Sequence, residues 1–169
     1  KADPKMETTP VNEFLEQADF FQQAGNTVAA LAELERALEL DPKNPRLIEA
    51  LGSGLFQQER FEEARRQFRH LIELQPRNAM AYTRLAMTSY VTDRYDEFES
   101  ALGLAMEIDP ELPEMLHFMG KVNLDTERYY DAGRIFSKLV ELEPNNVQNL
   151  LALAVCLYQG GQTEAAQDT

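Results

Sequence analysis

Four short phrases, Leu40-Asp41-Pro42, Leu74-Gln75-Pro76, Ile108-Asp109-Pro110 and Leu142-Glu143-Pro144, stand 34 residues apart along a chain of 169. A fixed period of this length means that one small structural unit recurs and that neighbouring units cover one another. It therefore constrains the fold more than composition does. Other positions keep the same register. Ala30 and Ala64 recur at Ala132, with Phe98 in the third place. Four residues later come Leu34, Phe68, Leu102 and Phe136, then Ala37, Leu71, Ala105 and Leu139. Earlier in each unit lie Phe14, Ile48, Tyr82, Leu116 and Leu150. Leu51, Leu85, Met119 and Leu153 follow three residues on, each before Gly52, Ala86, Gly120 or Ala154.

Within a unit the spacing is helical. Ile48, Leu51, Gly52 and Leu55 fall at i, i+3, i+4 and i+7, one face of a helix, and Phe61, Ala64, Phe68, Leu71 and Ile72 form a second. Gln57 to Arg60 is a short polar joint between them. Asn44-Pro45 reads as an N-cap followed by proline at the first helical position, and Asn78 and Asn146 can cap likewise. Each recurring proline lacks an N–H and disfavours helix in the residue before it, so it ends a hairpin. The spacing predicts helix pairs 11–24 with 27–40, 45–58 with 61–74, 79–92 with 95–108, and 113–126 with 129–142. Helix 147–159 begins a fifth pair, with its partner expected from about Thr163. Small residues at 52, 86 and 120 let two helix backbones approach closely.

This pattern resembles the tetratricopeptide repeat: a large apolar residue, leucine then glycine or alanine, an aromatic, alanine, phenylalanine, alanine and proline over 34 residues. The resemblance covers four full units, about 11–44, 45–78, 79–112 and 113–146, and a truncated fifth at 147–169. Gln17, Ser89, Asn123 and Phe98 depart from the pattern, and no unit has tryptophan. The resemblance implies an all-α fold, a right-handed superhelical α-solenoid of antiparallel helix pairs. Residues 1–8 are expected to form a disordered or extended lead. The chain starts at Lys1, not methionine, and stops inside its fifth unit. It is therefore expected to be a fragment of a longer protein. Leu150 to Tyr158 is apolar almost all round, and such a helix expects cover on both sides. Self-association through 147–169 is the expectation if it stays open.

The charges, 16 basic against 29 acidic, sum to −13. That balance argues against partners attracted by positive charge, nucleic acid and anionic membrane among them. No apolar run approaches the roughly 20 residues of a membrane span. One cysteine cannot form an internal disulfide. With no N-x-S/T acceptor site, this fits the cytoplasm and leaves the bacterial periplasm open; the composition looks bacterial. No cofactor or metal is implied. His70 and His117 have no second histidine or cysteine at ligand spacing, and His117, between Glu114 and Lys121, reads as a surface imidazole. Cys156 sits in an apolar helix and reads as a buried inert thiol. Gly52-Ser53-Gly54 lacks the strand-to-helix context of a phosphate loop. The carboxylates fit solvated faces, some with helical partners such as Glu62 with Arg66 and Asp131 with Arg134. Arg60, Arg65, Arg66 and Arg69 cluster on one helix and are expected to pair with nearby glutamates. No catalysis is expected in this segment.

Binding remains. The resemblance implies that the first helix of each pair lines an inner, concave surface. At 100° per residue the faces turned away from the partner helix carry Arg46, Glu49, Ala50, Ser53 and Gln57. Next come Met80, Thr83, Arg84, Met87 and Val91. The fourth unit supplies Glu114, His117, Phe118, Lys121 and Asp125, and the fifth Gln148, Leu151, Ala152, Val155 and Gln159. Met80, Met87, Val91, Phe118, Leu151 and Val155 are apolar where exposure is expected. Arg84 and Lys121 are cationic in an acidic protein. An apolar strip beside positive charge suits a protein or peptide with hydrophobic anchors and an acidic group; packing against neighbouring repeats is the competing explanation. Relatives that clamp the terminal carboxylate of chaperone tails use lysine, asparagine, asparagine, lysine and arginine. Here those places hold Leu15, Asp19, Ala50, Met80 and Arg84, or one unit on Glu49, Ser53, Arg84, Glu114 and Phe118. At most Arg84 fits, so that clamp is not expected. The leading expectation is a scaffold holding a partner's peptide or helix in the groove. Two others stand beside it: an array within a larger enzyme, such as a glycosyltransferase or other transferase, and a self-assembling structural scaffold.

Overall fold

The computed structural model describes the backbone of residues 10–167 and the side chains of 11–161. The expected lead at 1–8 lies outside the described residues. Among those residues there are nine helices and no strand. They are α1 Pro10–Gln23, α2 Thr27–Leu40, α3 Pro45–Gln57, α4 Phe61–Leu74, α5 Ala79–Val91, α6 Tyr95–Ile108, α7 Pro113–Asp125, α8 Tyr129–Leu142 and α9 Val147–Gln167. The first eight match the expected pairs to within a residue or two at each end.

The joints explain why the pairs turn where they do. Gly25, Glu59, Asp93 and Glu127 have φ of 73°, 58°, 56° and 58°, and they share the 34-residue register. Such a left-handed residue ends a helix by letting the next amide reach back to an orphan carbonyl. Asn26, Arg60, Arg94 and Arg128 each donate to the carbonyl five residues earlier, at 2.8–2.9 Å. Between pairs, Asn44 accepts from the Arg46 amide at 3.1 Å with Pro45 at the first helical position. Asn78 accepts from Ala81 at 3.0 Å. Asn146 accepts from the amides of Gln148 and Asn149.

The chain divides into two compact units, 1–101 and 102–169, with the boundary inside α6. In the first, α2 packs on α1 and α3, α4 packs on α3 and α5, and α5 also touches α3. Ile48, Leu71 and Ala81 close one core cluster, with Leu38, Ile72 and Leu74 against it. Phe68 is fully buried over Gly52. A Cβ on Gly52 would lie 2.7 Å from the Phe68 ring, so the missing side chain is what admits the phenylalanine. In the second unit α8 packs on α7 and α9. The same fit recurs two periods later, where a Cβ on Gly120 would come 2.8 Å from Phe136.

α9 corrects the expected ending at 159. It runs unbroken to Gln167, with Gly160 and Gly161 inside it, and no partner helix starts at Thr163. Turning the chain breaks helical hydrogen bonds, and only packing of the second helix offsets that loss. No proline lies between 147 and 167 to break the helix. Among the described residues no helix is long and apolar enough to cross a membrane.

Candidate interaction surface

The first compact unit carries the expected surface residues of α3 and α5. Arg46 is exposed, and Glu49 and Ser53 are half-buried along α3. On α5, Met80, Arg84 and Met87 are half-buried and Val91 is 46% exposed. The two helices touch directly. Thr83 is the exception. It is fully buried, and its hydroxyl donates to the Ala79 carbonyl at 2.9 Å, so it presents nothing to a partner. Packing of α5 against both α3 and α4 takes more of its circumference than a single partner helix would.

In the second unit His117 is half-buried and Lys121 exposed on α7, whereas Phe118 is buried and joins the packing. His117 Nε2 lies 3.5 Å from Glu143 Oε2. The same carboxylate accepts from Asn146 Nδ2 and Asn149 Nδ2 at 2.9 Å each. These two amides, then His117, hold the Glu143 carboxyl below the usual carboxylate range. On α9, Leu151 and Val155 are exposed. The glycine-serine-glycine run at 52–54 lies inside α3, with the site of a Gly54 Cβ filled by Leu31.

Three of the four clustered arginines, Arg60 at the start of α4 and Arg65 and Arg69 within it, form ion pairs. Arg65 reaches Glu62 at 2.8 Å and Glu97 at 3.2 Å, Arg69 also pairs with Glu97, and Arg60 pairs with Glu63 at 2.8 Å. The expected helical partners are replaced. Glu62 takes Arg65 and Arg94, and Asp131 lies 3.8 Å from Arg128. A three-residue step and the arrival of Arg94 from the next pair bring these groups closer than the four-residue step expected for Glu62. Glu97 carries no signal in the sequence. It also accepts from the Ser89 hydroxyl at 2.9 Å. Burial pushes its carboxyl up, but Ser89, Arg69 and Arg65 outweigh that and hold it below the usual range. Its arginine partners sit 28 and 32 residues away, so no local charge pattern reveals it.

Among the described residues no three histidine, cysteine, aspartate or glutamate side chains gather as a metal site. Cys156 is buried, and burial pushes its thiol up, which makes it a poor nucleophile.

Comparison with known proteins agrees with this architecture. A thermophilic TPR protein of Thermus thermophilus is 19% identical, with 91% of this chain and 84% of that one covered, at a TM-score of 0.75. PilF of Pseudomonas aeruginosa is 24% identical over 94% of this chain and 72% of its own, at 0.74. MamA of Desulfovibrio magneticus is 16% identical over 94% and 90%, at 0.69. At such identities the likeness is one of fold. No curated protein matches the chain. Models of the tetratricopeptide repeat match residues 21–73 and 49–113, which together span more than half of it. With the 34-residue register and the recurring left-handed turns, these matches place the chain in the tetratricopeptide repeat family.

Proposed function

We propose that this array holds an extended or helical segment of a partner protein against the exposed side of its first helices, and that the segment carries apolar anchors beside an acidic group. A tetratricopeptide array is a protein-interaction scaffold, and the family is typically non-catalytic. The observation that carries the finer reading is α5. Met80 and Met87 are partly open, Val91 is exposed, and Arg84 lies among them in a chain of net charge −13. Apolar side chains beside a cation suit an anchor-plus-carboxylate segment, and methionine adapts its shape to the anchor. Arg46 on α3 and Lys121 on α7 supply further positive charge on the first helices of their own units.

Selection of binders from a random peptide library by the 169-residue chain should return sequences with aspartate or glutamate near a leucine or phenylalanine. Arg84→Glu should then weaken the selected peptide about tenfold or more, the scale of one charge-assisted hydrogen bond. The circular dichroism spectrum should stay helical, so that the loss is read as one of contact and not of fold. Equal affinity in the variant would remove Arg84 from the site, and basic selected peptides would overturn the reading.

A further inference from the structure

Val147, Leu150, Ala154, Leu157 and Gly161 form one stripe along α9, in steps of three, four, three and four residues. At 3.6 residues per turn they fall within an arc of about 80°. All five are exposed, Leu150 at 44% and Leu157 at 68%, whereas Asn149 and Cys156, turned away from the stripe, are buried. Such spacing is the seam by which two helices pack along their length.

The stripe alternates in size. Leu150, Ala154, Leu157 and Gly161 read large, small, large, small. In the first four units the place of Gly161 is held by Gly25, Glu59, Asp93 and Glu127, which lie in turns beyond the ends of α1, α3, α5 and α7. Because α9 runs on to Gln167, all four places stand on a single helix there. Read backwards, the order is small, large, small, large. Two such stripes laid antiparallel therefore interlock. Leu157 of each copy meets Ala154 of the other, and Leu150 meets Gly161, since both pairs share one midpoint. A pairing of this kind is closed, because each contact recurs with the copies exchanged.

Charge selects the same occupant. Residues 144–163 carry no charged side chain, the longest such run in the chain, and the next, 20–32, is thirteen residues long. A second copy also carries −13 and is repelled by the acidic surface elsewhere, but least along this face. A charged partner finds no counter-charge on the stripe itself.

We infer that the stripe of α9 is a homodimer interface, in which α9 of a second copy lies antiparallel across it about a two-fold axis passing between Val155 and Cys156. A groove of about 610 Å³ between α8 and α9, lined by Tyr130, Arg134, Leu157 and Gly161 among others, receives the flank of the incoming helix. One helix pair is a small interface, so the dimer is transient. At low micromolar concentration the chain is a monomer, and stability measured there is that of the monomer.

Sedimentation equilibrium of the 169-residue chain, from low micromolar to several hundred micromolar, should show a monomer passing into a dimer and into nothing larger. Leu157→Glu puts a charge on each half of the seam and should abolish the dimer over that range. Two further variants test the interlock. Ala154→Leu sets large against large and Leu157→Ala small against small, and each should weaken the dimer about tenfold or more. The double variant, Ala154→Leu with Leu157→Ala, restores large against small in the opposite order. Its dissociation constant should return to within about threefold of the parent's. Both positions are exposed in the monomer, so the variants keep the fold, which circular dichroism checks. A chain that stays monomeric throughout overturns the inference. So do a dimer indifferent to Leu157→Glu, a polymer in place of a dimer, and a double variant no tighter than the single ones.

Discussion

Two helices built from the same residue pattern meet opposite fates. Ile48, Leu51, Gly52 and Leu55 on α3 are buried, with Ile48 at 0% and Leu55 at 2% exposure. Leu150, Leu153, Ala154 and Leu157 hold the same places on α9, yet Leu150 is 44% and Leu157 68% exposed. The pattern cannot account for the difference, since it is shared. What differs is a second helix. α4 folds back on α3 and seats Phe68 over Gly52, and nothing equivalent lies on α9 among the described residues. In a repeat array, then, an apolar stripe states what a helix needs, and the neighbour decides whether the need is met.

The largest expected effect comes from breaking the covered region. Phe68→Ala removes a fully buried ring and leaves a cavity between α3 and α4, at a cost of about 3–5 kcal/mol. Leu157→Ala should change stability by less than about 0.5 kcal/mol, because that side chain is largely in water already. Urea unfolding of both variants measures the gap. Similar losses would show that α9 is as well covered as α3.

A smaller effect tests the fit itself. In Gly52→Val the first added carbon would meet the Phe68 ring at 2.7 Å, so either the ring or the helix must shift. Overpacking of this kind costs about 1–3 kcal/mol. Ala154→Val, at the matching place on α9, should cost a few tenths only, the helix penalty of a β-branched residue. Thermal midpoints of the two variants decide it, and equal shifts would mean that the close approach at Gly52 carries no stability.

The contrast also marks what was legible in the sequence. The period, the helix pairs and the caps at Asn44, Asn78 and Asn146 follow from local chemistry, which the chain displays at fixed spacing. The small residue at 52 read as a place where two helix backbones approach, and what the structure puts there is the Phe68 ring. Other features depend on which groups the packing brings together. Thr83 and Phe118 read as surface because a helical wheel with one partner leaves them outside, whereas α5 has α3 beside α4. α9 read as ending at 159 because the 34-residue register ends the other first helices at the matching place, but the register alone does not turn the chain, and the helix runs on to Gln167. Glu62 pairs with Arg65 and, from the next pair, Arg94, and Asp131 pairs three residues back with Arg128, choices of side-chain reach that a fixed forward step along the helix does not describe.

Glu97 sharpens the comparison through charge. It holds α4, α5 and α6 together through Arg65, Arg69 and Ser89, all within the first compact unit, whereas Val147–Thr163 contains no charged residue at all. Its carboxyl lies below the ordinary glutamate value of 4.5 in the folded chain. A depressed carboxylate binds its proton more readily in the unfolded chain. Its contribution to stability is therefore complete above that ordinary value and is lost as the pH falls through the folded one. Glu97→Gln should cost about 1.5–3 kcal/mol at neutral pH, the scale of hydrogen bonds to charged groups. The difference between parent and variant should shrink as the pH falls below 4.5. Hydrogen exchange should locate the loss in the amides of α5 and not in those of 150–158 on α9. A difference that stayed constant down to about pH 3 would mean that Glu97 acts by shape and not by charge, and a loss shared equally by 150–158 would mean that the two regions unfold as one.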